Sequence, residues 1–416
     1  MKQKLEPIEL EIGMYVCDLD RPWLESPFLF QGFLIDNDKV ITELSNCCEY
    51  VFIDTERGAA KEEPSGNRSS QGNAVDEINN DKTPDIYVTR FEDEIGPARS
   101  LRQKAENYMQ QLFVDLRAGK SIKSDEVRDV VGGMVNSILR NPDALVLLSA
   151  LREHDEYAVA HSINVCTLCL AFGRYLGFAQ DALNEIGIGA LLHDIGEVRL
   201  PVELIHKAGL LSKEDTIRMH THTKLGADIL RRTEGLPPTS IDIALTHHER
   251  CNGQGYPEGL KDDDIGQYAK IVGLIDVYDS VTSTQDHSRC ISSTEALKNM
   301  YNWRDDLFDA HLIEEFIQCL GIYPVGSIVE LDTGEVGIVI SVGPENRLQP
   351  KLMLIRDADK KPYAPPRIIN LARHIGKSKS HRYEINKVLE SGDYGIDLKG
   401  YLLREIPLDL EFDDVI

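Results

Sequence analysis

The sequence predicts a mainly α-helical protein with a small β-rich module at each end. Three observations carry that prediction. Apolar residues recur with a helical period from about residue 94 to residue 323. Before residue 57 they form short strand-like runs broken by Gly, Pro and Asn-Asp turns, and after residue 323 they alternate again. At 416 residues the chain is too long for one hydrophobic core, and 42% apolar content suffices for ordinary burial in roughly two or three domains.

Taken in order, residues 1–57 contain strand-like pieces at Glu11 to Leu19, Phe28 to Ile35, Lys39 to Leu44 and Tyr50 to Asp54. Residues 58–93 are expected to be a flexible linker, because positions 58–84 hold almost no large apolar groups to offset the entropy of ordering. Residues 94–144 form a helical connector. In its first helix Leu101, Ala105, Tyr108 and Leu112 fall at i, i+4, i+7 and i+11, with Gly119 as the stop. A second helix starts with Ser124 as candidate N-cap and Asp125 and Glu126 in the first turn, repeats Val127, Val131, Met134 and Ile138, and closes at Pro142. Intrachain packing is the commoner use of such stripes, with homodimerisation through the first helix as the alternative. Residues 145–323 are a central helical domain. Residues 324–416 begin with a hairpin signature, Val329 and Leu331, the Asp332-Thr333-Gly334 turn, then Val336, Ile338 and Ile340, and end in an acidic tail, Leu408 to Ile416.

A net charge of −24 argues against DNA or an anionic membrane as a surface-wide partner, so an anionic substrate has to be attracted locally. The N-terminal residues lack the apolar core of a signal peptide and no window reaches bilayer-spanning length, which predicts a cytoplasmic protein. Eight scattered cysteines are then expected as reduced thiols. Cys166 and Cys169 have CxxC spacing, yet lie in an apolar run with Val165, Leu168 and Leu170, where small core residues are the plainer reading.

The central domain carries the chemistry. His161, His193, Asp194, His222, His247, His248 and Asp276 follow one another as H, HD, H, HH, D. His161 aligns with Val165, Leu168 and Phe172; His193 with Ile186 and Ala190; His248 with Ile241, Ala244 and Leu245; Asp276 with Val272 and Asp279. One histidine on an apolar face is usually a hydrogen-bonded core residue. Several such faces plus two adjacent polar pairs are hard to satisfy by packing, and a metal satisfies them together. Imidazole with carboxylate suits Fe, Mn or Zn, and a carboxylate can bridge two cations, with Asp194 as the candidate. In a two-metal hydrolysis, a bridging water that loses its proton attacks phosphorus in line. Neither GxSxG nor GxxxxGK[ST] occurs in the chain.

Leu191-Leu192-His193-Asp194-Ile195-Gly196, then His247-His248-Glu249-Arg250, then Gly253-Gln254-Gly255-Tyr256-Pro257 together resemble the HD-GYP family over roughly residues 145 to 323. The N-terminal pattern Gly13-Met14-Tyr15-Val16, Leu19-Asp20-Arg21-Pro22-Trp23, Pro27-Phe28 and Gly32-Phe33 resembles the domain of unknown function that often precedes it. The resemblance implies an HD-type bundle, two divalent metal ions (Fe or Mn), and hydrolysis of cyclic di-GMP to linear pGpG and, as a further step, to GMP. It implies all seven residues above as metal ligands, His222 being preferred over His220 by spacing, with Asp194 and His193 central to catalysis. Tyr157 stands where some members carry a glutamate for a third metal, which implies a binuclear site. The loop Gly255, Tyr256 and Pro257 is linked in the family to signalling-protein partners. Three positions depart from the family: Glu197 replaces the lysine of HDxGK, and Gln285 and Ser288 replace later cations. Arg250, Lys207, Lys270 and Arg289 are the candidate substrate contacts that remain. These departures keep a second reading open, a catalytically weak member that binds a cyclic dinucleotide or a protein as a sensor, and a third, a phosphohydrolase acting on another nucleotide.

Overall fold

The computed structural model describes residues 2–20, 33–35, 38–54, 88–150, 157–205, 207, 211–283, 291–304, 306–342, 349–374, 383–389 and 393–396. The chain divides into two compact units, Met1–Ile78 and Asn79–Ile416.

In the first unit β1 (Lys2–Leu5), β2 (Tyr15–Leu19), β3 (Phe33–Leu34) and β4 (Val51–Asp54) form an antiparallel sheet in the order β1-β4-β2-β3. Its core gathers Val16, Leu19, Ile35, Val51 and Ile53 with Leu44 of helix α1 (Asp38–Cys47). The run Lys39 to Leu44, expected as a strand, is therefore helical. Val40, Ile41 and Leu44 stand at i, i+1 and i+4, which one helix face buries together and a strand would split between its two faces. The strand expected at Glu11 to Leu19 begins only at Tyr15, after a turn in which Gly13 has φ 94°. The strand expected at Phe28 to Ile35 covers Phe33–Leu34 among the described residues. β1 was not anticipated: as an edge strand with two lysines it shows almost no apolar alternation.

The second unit opens with α2 (Phe91–Arg117), which starts inside the stretch expected to be linker. Glu92, Asp93 and Glu94 in its first turn meet the positive end of the helix dipole. Its buried stripe is Ile95, Ala98, Arg102, Ala105, Met109, Leu112 and Leu116, and it packs on α3 (Ser124–Arg140), α4 (Pro142–Ser149) and α5 (Tyr157–Tyr175). Gly119 follows the helix with φ 81°. Ser124 is the first helical residue of α3; its N-cap is Lys123, with no side-chain cap. Val127, Val131, Met134 and Ile138 are all buried.

Every residue from His161 to Gly173 on α5 is buried. The chain continues through α6 (Gln180–Leu192), the short α7 (Val202–Ile205), α8 (Lys213–His220), α9 (His222–Arg231), α10 (Pro238–Thr246), α11 (Gln267–Thr282), α12 (Ser293–Asn302) and α13 (Ala310–Leu320). α6 and α11 pack directly on α5, and α10 packs on both α6 and α11. No described helix is long and apolar enough to cross a membrane.

The chain then forms β5 (Ile328–Leu331), β6 (Val336–Ser341), β7 (Lys351–Arg356), β8 (Pro362–Asn370) and β9 (Ile385–Leu389), an antiparallel sheet in the order β8-β7-β6-β5-β9. Its core holds Val329, Leu331, Val339, Leu352, Leu354 and Ile369. The hairpin turn at Asp332 to Gly334 joins β5 to β6, with the Gly334 amide donating to Leu331 O at 2.9 Å. The expected acidic tail, Leu408 to Ile416, lies outside the described residues.

Candidate metal centre

Helix ends, rather than helix faces alone, assemble the cluster. His193 is the C-cap of α6 with Asp194 beside it, His222 is the first residue of α9, and His247 is the C-cap of α10 with His248 next. Adjacent residues within a helix diverge by about 100°, so the two members of an adjacent pair converge on one point only where the helix stops. His161 and Asp276 come instead from the buried faces of α5 and α11.

Backbone carbonyls set three of the imidazoles. His193 Nδ1 donates to Ala190 O at 2.8 Å, His222 Nδ1 to Met219 O at 2.8 Å, and His247 Nδ1 to Ile243 O at 2.9 Å. In the neutral ring Nδ1 carries the proton and each Nε2 presents a lone pair to the centre. All three Nε2 atoms, and Asp194 Oδ1, are buried without a hydrogen-bond partner. Leaving such groups unsatisfied costs roughly 1–3 kcal/mol each, so four at one point call for a cation. A divalent ion fits this donor set of imidazole nitrogens and carboxylate oxygens.

The donors fall into two groups, Asp194 with His222, His247 and His248, and His161 with His193 and Asp276. Asp194 faces both. Its Oδ1 lies 3.2 Å from His222 Nε2 and 3.3 Å from His247 Nε2, while its Oδ2 lies 3.2 Å from His193 Nε2 and 3.9 Å from His161 Nε2. Asp276 Oδ1 lies 3.1 Å from His161 Nε2 and 4.0 Å from His193 Nε2, and its Oδ2 lies 3.7 Å from His248 Nδ1.

The charges follow from this crowding. Burial pushes the Asp194 carboxyl up, but His193, His222 and His247 outweigh it and hold it well below the usual range. Burial likewise opposes ionisation of Asp276, and His161 and His248 overcome it. His222 would lose its charge by burial, yet Asp194 raises it to about 9. His161 is also raised, against burial, by Asp276 and Asp279. Burial and the neighbouring His247 push His248 well down.

The backbone crosses closely at this centre. A Cβ on Gly196 would stand 1.9 Å from His222 O, so only glycine lets the segment after Asp194 lie against the start of α9. In the GYP loop a Cβ on Gly255 would stand 2.4 Å from Arg250 N, so this glycine serves close approach to the His248 strand of backbone. Tyr256 stacks on His220 with ring centroids 3.6 Å apart and on His248 at 4.6 Å, and Pro257 follows through a cis peptide bond. His220 thus packs on Tyr256 while its neighbour His222 faces Asp194. The buried Glu249 carboxylate fastens the loop by accepting from the amides of Glu258 at 2.7 Å, Gly259 at 3.2 Å and Leu260 at 2.9 Å.

The expected substrate cations are not gathered here. Lys207 pairs with Asp215, and Lys270 pairs with Asp262 at 2.6 Å. Arg250 lies by the centre but donates to the backbone oxygens of His247 at 3.0 Å and Glu249 at 2.7 Å and sits over the Phe308 ring. Arg289, Gln285 and Ser288 lie outside the described residues. Glu197 is half-buried in the 3-10 helix Ile195–Arg199, where burial and then the Asp194 charge push its carboxyl up to about 7. Tyr157 stacks on His161 at 5.6 Å. Burial pushes the Cys166 and Cys169 thiols up, in keeping with core residues.

Sequence reasoning missed the support behind His161. Its Nδ1 donates to Asp279 Oδ2 at 2.7 Å, and Asp279 Oδ1 accepts from Asn164 Nδ2 at 3.2 Å. The signal was present: His161 with Asn164 and Asp276 with Asp279 are two i, i+3 polar pairs on otherwise apolar helices.

Helices carrying buried His and Asp donors to a shared point define a metal-binding domain of the HD class. Matching family profiles agree: an HD domain over residues 146–312, a domain of unknown function (DUF3391) over 2–127, and a KOW domain associated with HD domain over 328–391. The chain is 31% identical over 375 residues to a cyclic di-GMP phosphodiesterase of Pseudomonas aeruginosa, covering 90% of each protein. It is 27% identical over 173 residues to a 3'3'-cGAMP-specific phosphodiesterase of Vibrio cholerae, covering 41% of this chain and 33% of that protein. A solved HDG"Y"P protein from Bdellovibrio bacteriovorus aligns with TM-score 0.44 and 19% identity, covering 76% of this chain and 98% of that one. The chain belongs to the HD-GYP family.

Proposed function

We propose that this protein is a metal-dependent phosphodiesterase that opens cyclic di-GMP to linear pGpG. The observation that carries the reading is the convergence of three orphaned imidazole Nε2 atoms on Asp194, whose Oδ1 is buried and whose two oxygens face two donor groups. His161, His193 and Asp276 would hold one divalent ion and His222, His247 and His248 the other, with Asp194 between them; Fe or Mn suits these donors. When bound, the ions supply Lewis-acid stabilisation of charge on the phosphoryl and leaving oxygens. The backbone bonds from Nδ1 keep the imidazoles aimed, and the Glu249 staple with the Tyr256 stack closes the wall beside His248. The choice of cyclic di-GMP follows the Pseudomonas relative, which matches nine-tenths of the chain.

A second reading, a slow enzyme serving as a cyclic dinucleotide sensor, is favoured by one observation. Lys207 and Lys270 are tied to carboxylates, and Glu197 places a further acid beside Asp194. The deciding experiment reconstitutes purified protein with Fe or Mn and follows cyclic di-GMP and 3'3'-cGAMP by chromatography while calorimetry measures binding. Linear pGpG accumulating with metal, and not without, supports the enzyme. Ligand bound but recovered uncleaved after long incubation overturns it in favour of the sensor, and preferential cleavage of 3'3'-cGAMP overturns the substrate assignment.

A further inference from the structure

A buried polar chain runs from the first connector helix to a ligand of the centre. We propose that Arg102 on α2 is a positioning residue for the His161 half of the cluster, acting through Asn164 and Asp279, a role that rests on reading the cluster as a metal centre. Arg102 lies outside the segment matched to the HD domain and inside that matched to the domain of unknown function. It occupies the apolar stripe of α2 between Ala98 and Ala105, where amphipathic patterning calls for a hydrocarbon side chain. A buried guanidinium there is costly without a compensating set of acceptors.

The acceptors point toward the metal ligands. Arg102 Nη1 donates to Asn164 Oδ1 at 3.0 Å and to Ser149 Oγ at 3.4 Å, and its Nε meets Glu106 Oε1 at 2.9 Å. Asn164 Nδ2 donates to Asp279 Oδ1 at 3.2 Å, and Asp279 Oδ2 accepts from His161 Nδ1 at 2.7 Å and from Ser283 Oγ at 2.9 Å. Arg102, Asn164, Asp279 and His161 are each no more than 7% exposed. The two ends fix the amide between them: a guanidinium only donates and an ionised carboxylate only accepts, so Asn164 must turn oxygen to Arg102 and nitrogen to Asp279. Without Arg102 the Asn164 oxygen loses its charged partner and the amide is anchored at one end only, so the donor to Asp279, and through it the partner of His161 Nδ1, is held less firmly. Partners of ligands weaken metal binding when removed, and this one reaches the ligand from a helix outside the HD domain.

The test is Mn²⁺ titration of the full chain by calorimetry with chelator competition, which resolves the two ions, on wild type, Arg102→Met, Asn164→Leu and the double variant, with apo melting temperatures alongside. Two Mn²⁺ are expected on wild type. Arg102→Met should weaken one of them by about fivefold or more and leave the other unchanged. Asn164→Leu should do the same, and the double variant should be no worse than Asn164→Leu, because Arg102 acts through that amide. A purely structural Arg102 would lower the melting temperature with both affinities intact, or weaken both equally, and either result overturns the proposal. Should Arg102→Met not fold, Arg102→Lys keeps the buried charge while losing the planar donor fork, and the same one-sided weakening is expected. Fewer than two Mn²⁺ on wild type would bring down the metal reading and this role with it, whereas two Mn²⁺ with unchanged variants would bring down this role alone.

Discussion

The histidines of the donor cluster are held in two different ways, and only the half that contains His161 uses both. His193, His222 and His247 rest their Nδ1 atoms on main-chain carbonyls three or four residues earlier in sequence. His161 rests on the side-chain carboxylate of Asp279, 118 positions away along the chain. A ligand held by its own turn is set by local geometry, whereas one held by a distant carboxylate depends on the packing of α5 against α11. Asp194 joins the halves, one oxygen to each.

Substitution at the join should have the largest effect. Asp194→Ala is expected to lose both ions, read by elemental analysis of protein purified with Mn; undiminished metal in that variant would break the two-sided description. Next in size, Asp279→Ala should weaken the His161-side ion by about 10- to 100-fold in chelator competition while the other ion keeps its affinity. Equal losses at both sites would mean that the halves are not independently held.

A pH series sharpens the same contrast. His222 has its pKa raised from 6.5 to about 9 in the metal-free protein. A raised pKa means stability that is fully present below 6.5 and lost as pH rises through about 9. Metal needs the neutral imidazole, so proton competition fades over the same window. The melting temperature gained on adding Mn²⁺ should therefore grow from pH 6.5 to 9, and a gain that shrinks across that range would contradict the placement of His222 against Asp194. The smallest expected effect is at Glu197. Replacing this acid by lysine should raise kcat/KM on cyclic di-GMP by about fivefold, equivalent to about 1 kcal/mol, and added salt should reduce the gain. Because the Glu197 carboxyl ionises near pH 7, the advantage of the variant should widen above that pH. A lower rate at equal metal content would mean that Glu197 supports a histidine.

Sequence periodicity was sufficient for α3, where Val127, Val131, Met134 and Ile138 are all buried, and for the C-terminal hairpin of β5 and β6. It failed in the N-terminal module. Lys39 to Leu44 is too short for period two and period 3.6 to separate cleanly, and edge strand β1, Lys-Gln-Lys-Leu, shows almost no apolar alternation to announce it. Six of the seven proposed ligands could be read because they are polar residues in apolar helices or adjacent polar pairs, and His222 was chosen over His220 by the spacing of the family it resembles. Arg102, Asn164 and Asp279 could not be joined in one dimension, since only the packing of α2, α5 and α11 brings them together. Glu249 was read past for a similar reason: its acceptors' partners are backbone amides nine to eleven residues on.

Main-chain carbonyls are common to every amino acid, so no exchange of a side chain at Ala190, Met219 or Ile243 removes the group that aims the neighbouring imidazole. Those three positions can drift through mutation as long as their helices persist. His161 has no such insurance. A single nucleotide change at Asp279 erases its partner, so descendants of this chain that abandon one ion should do so first on the His161 side, while the opposite side outlasts the loss.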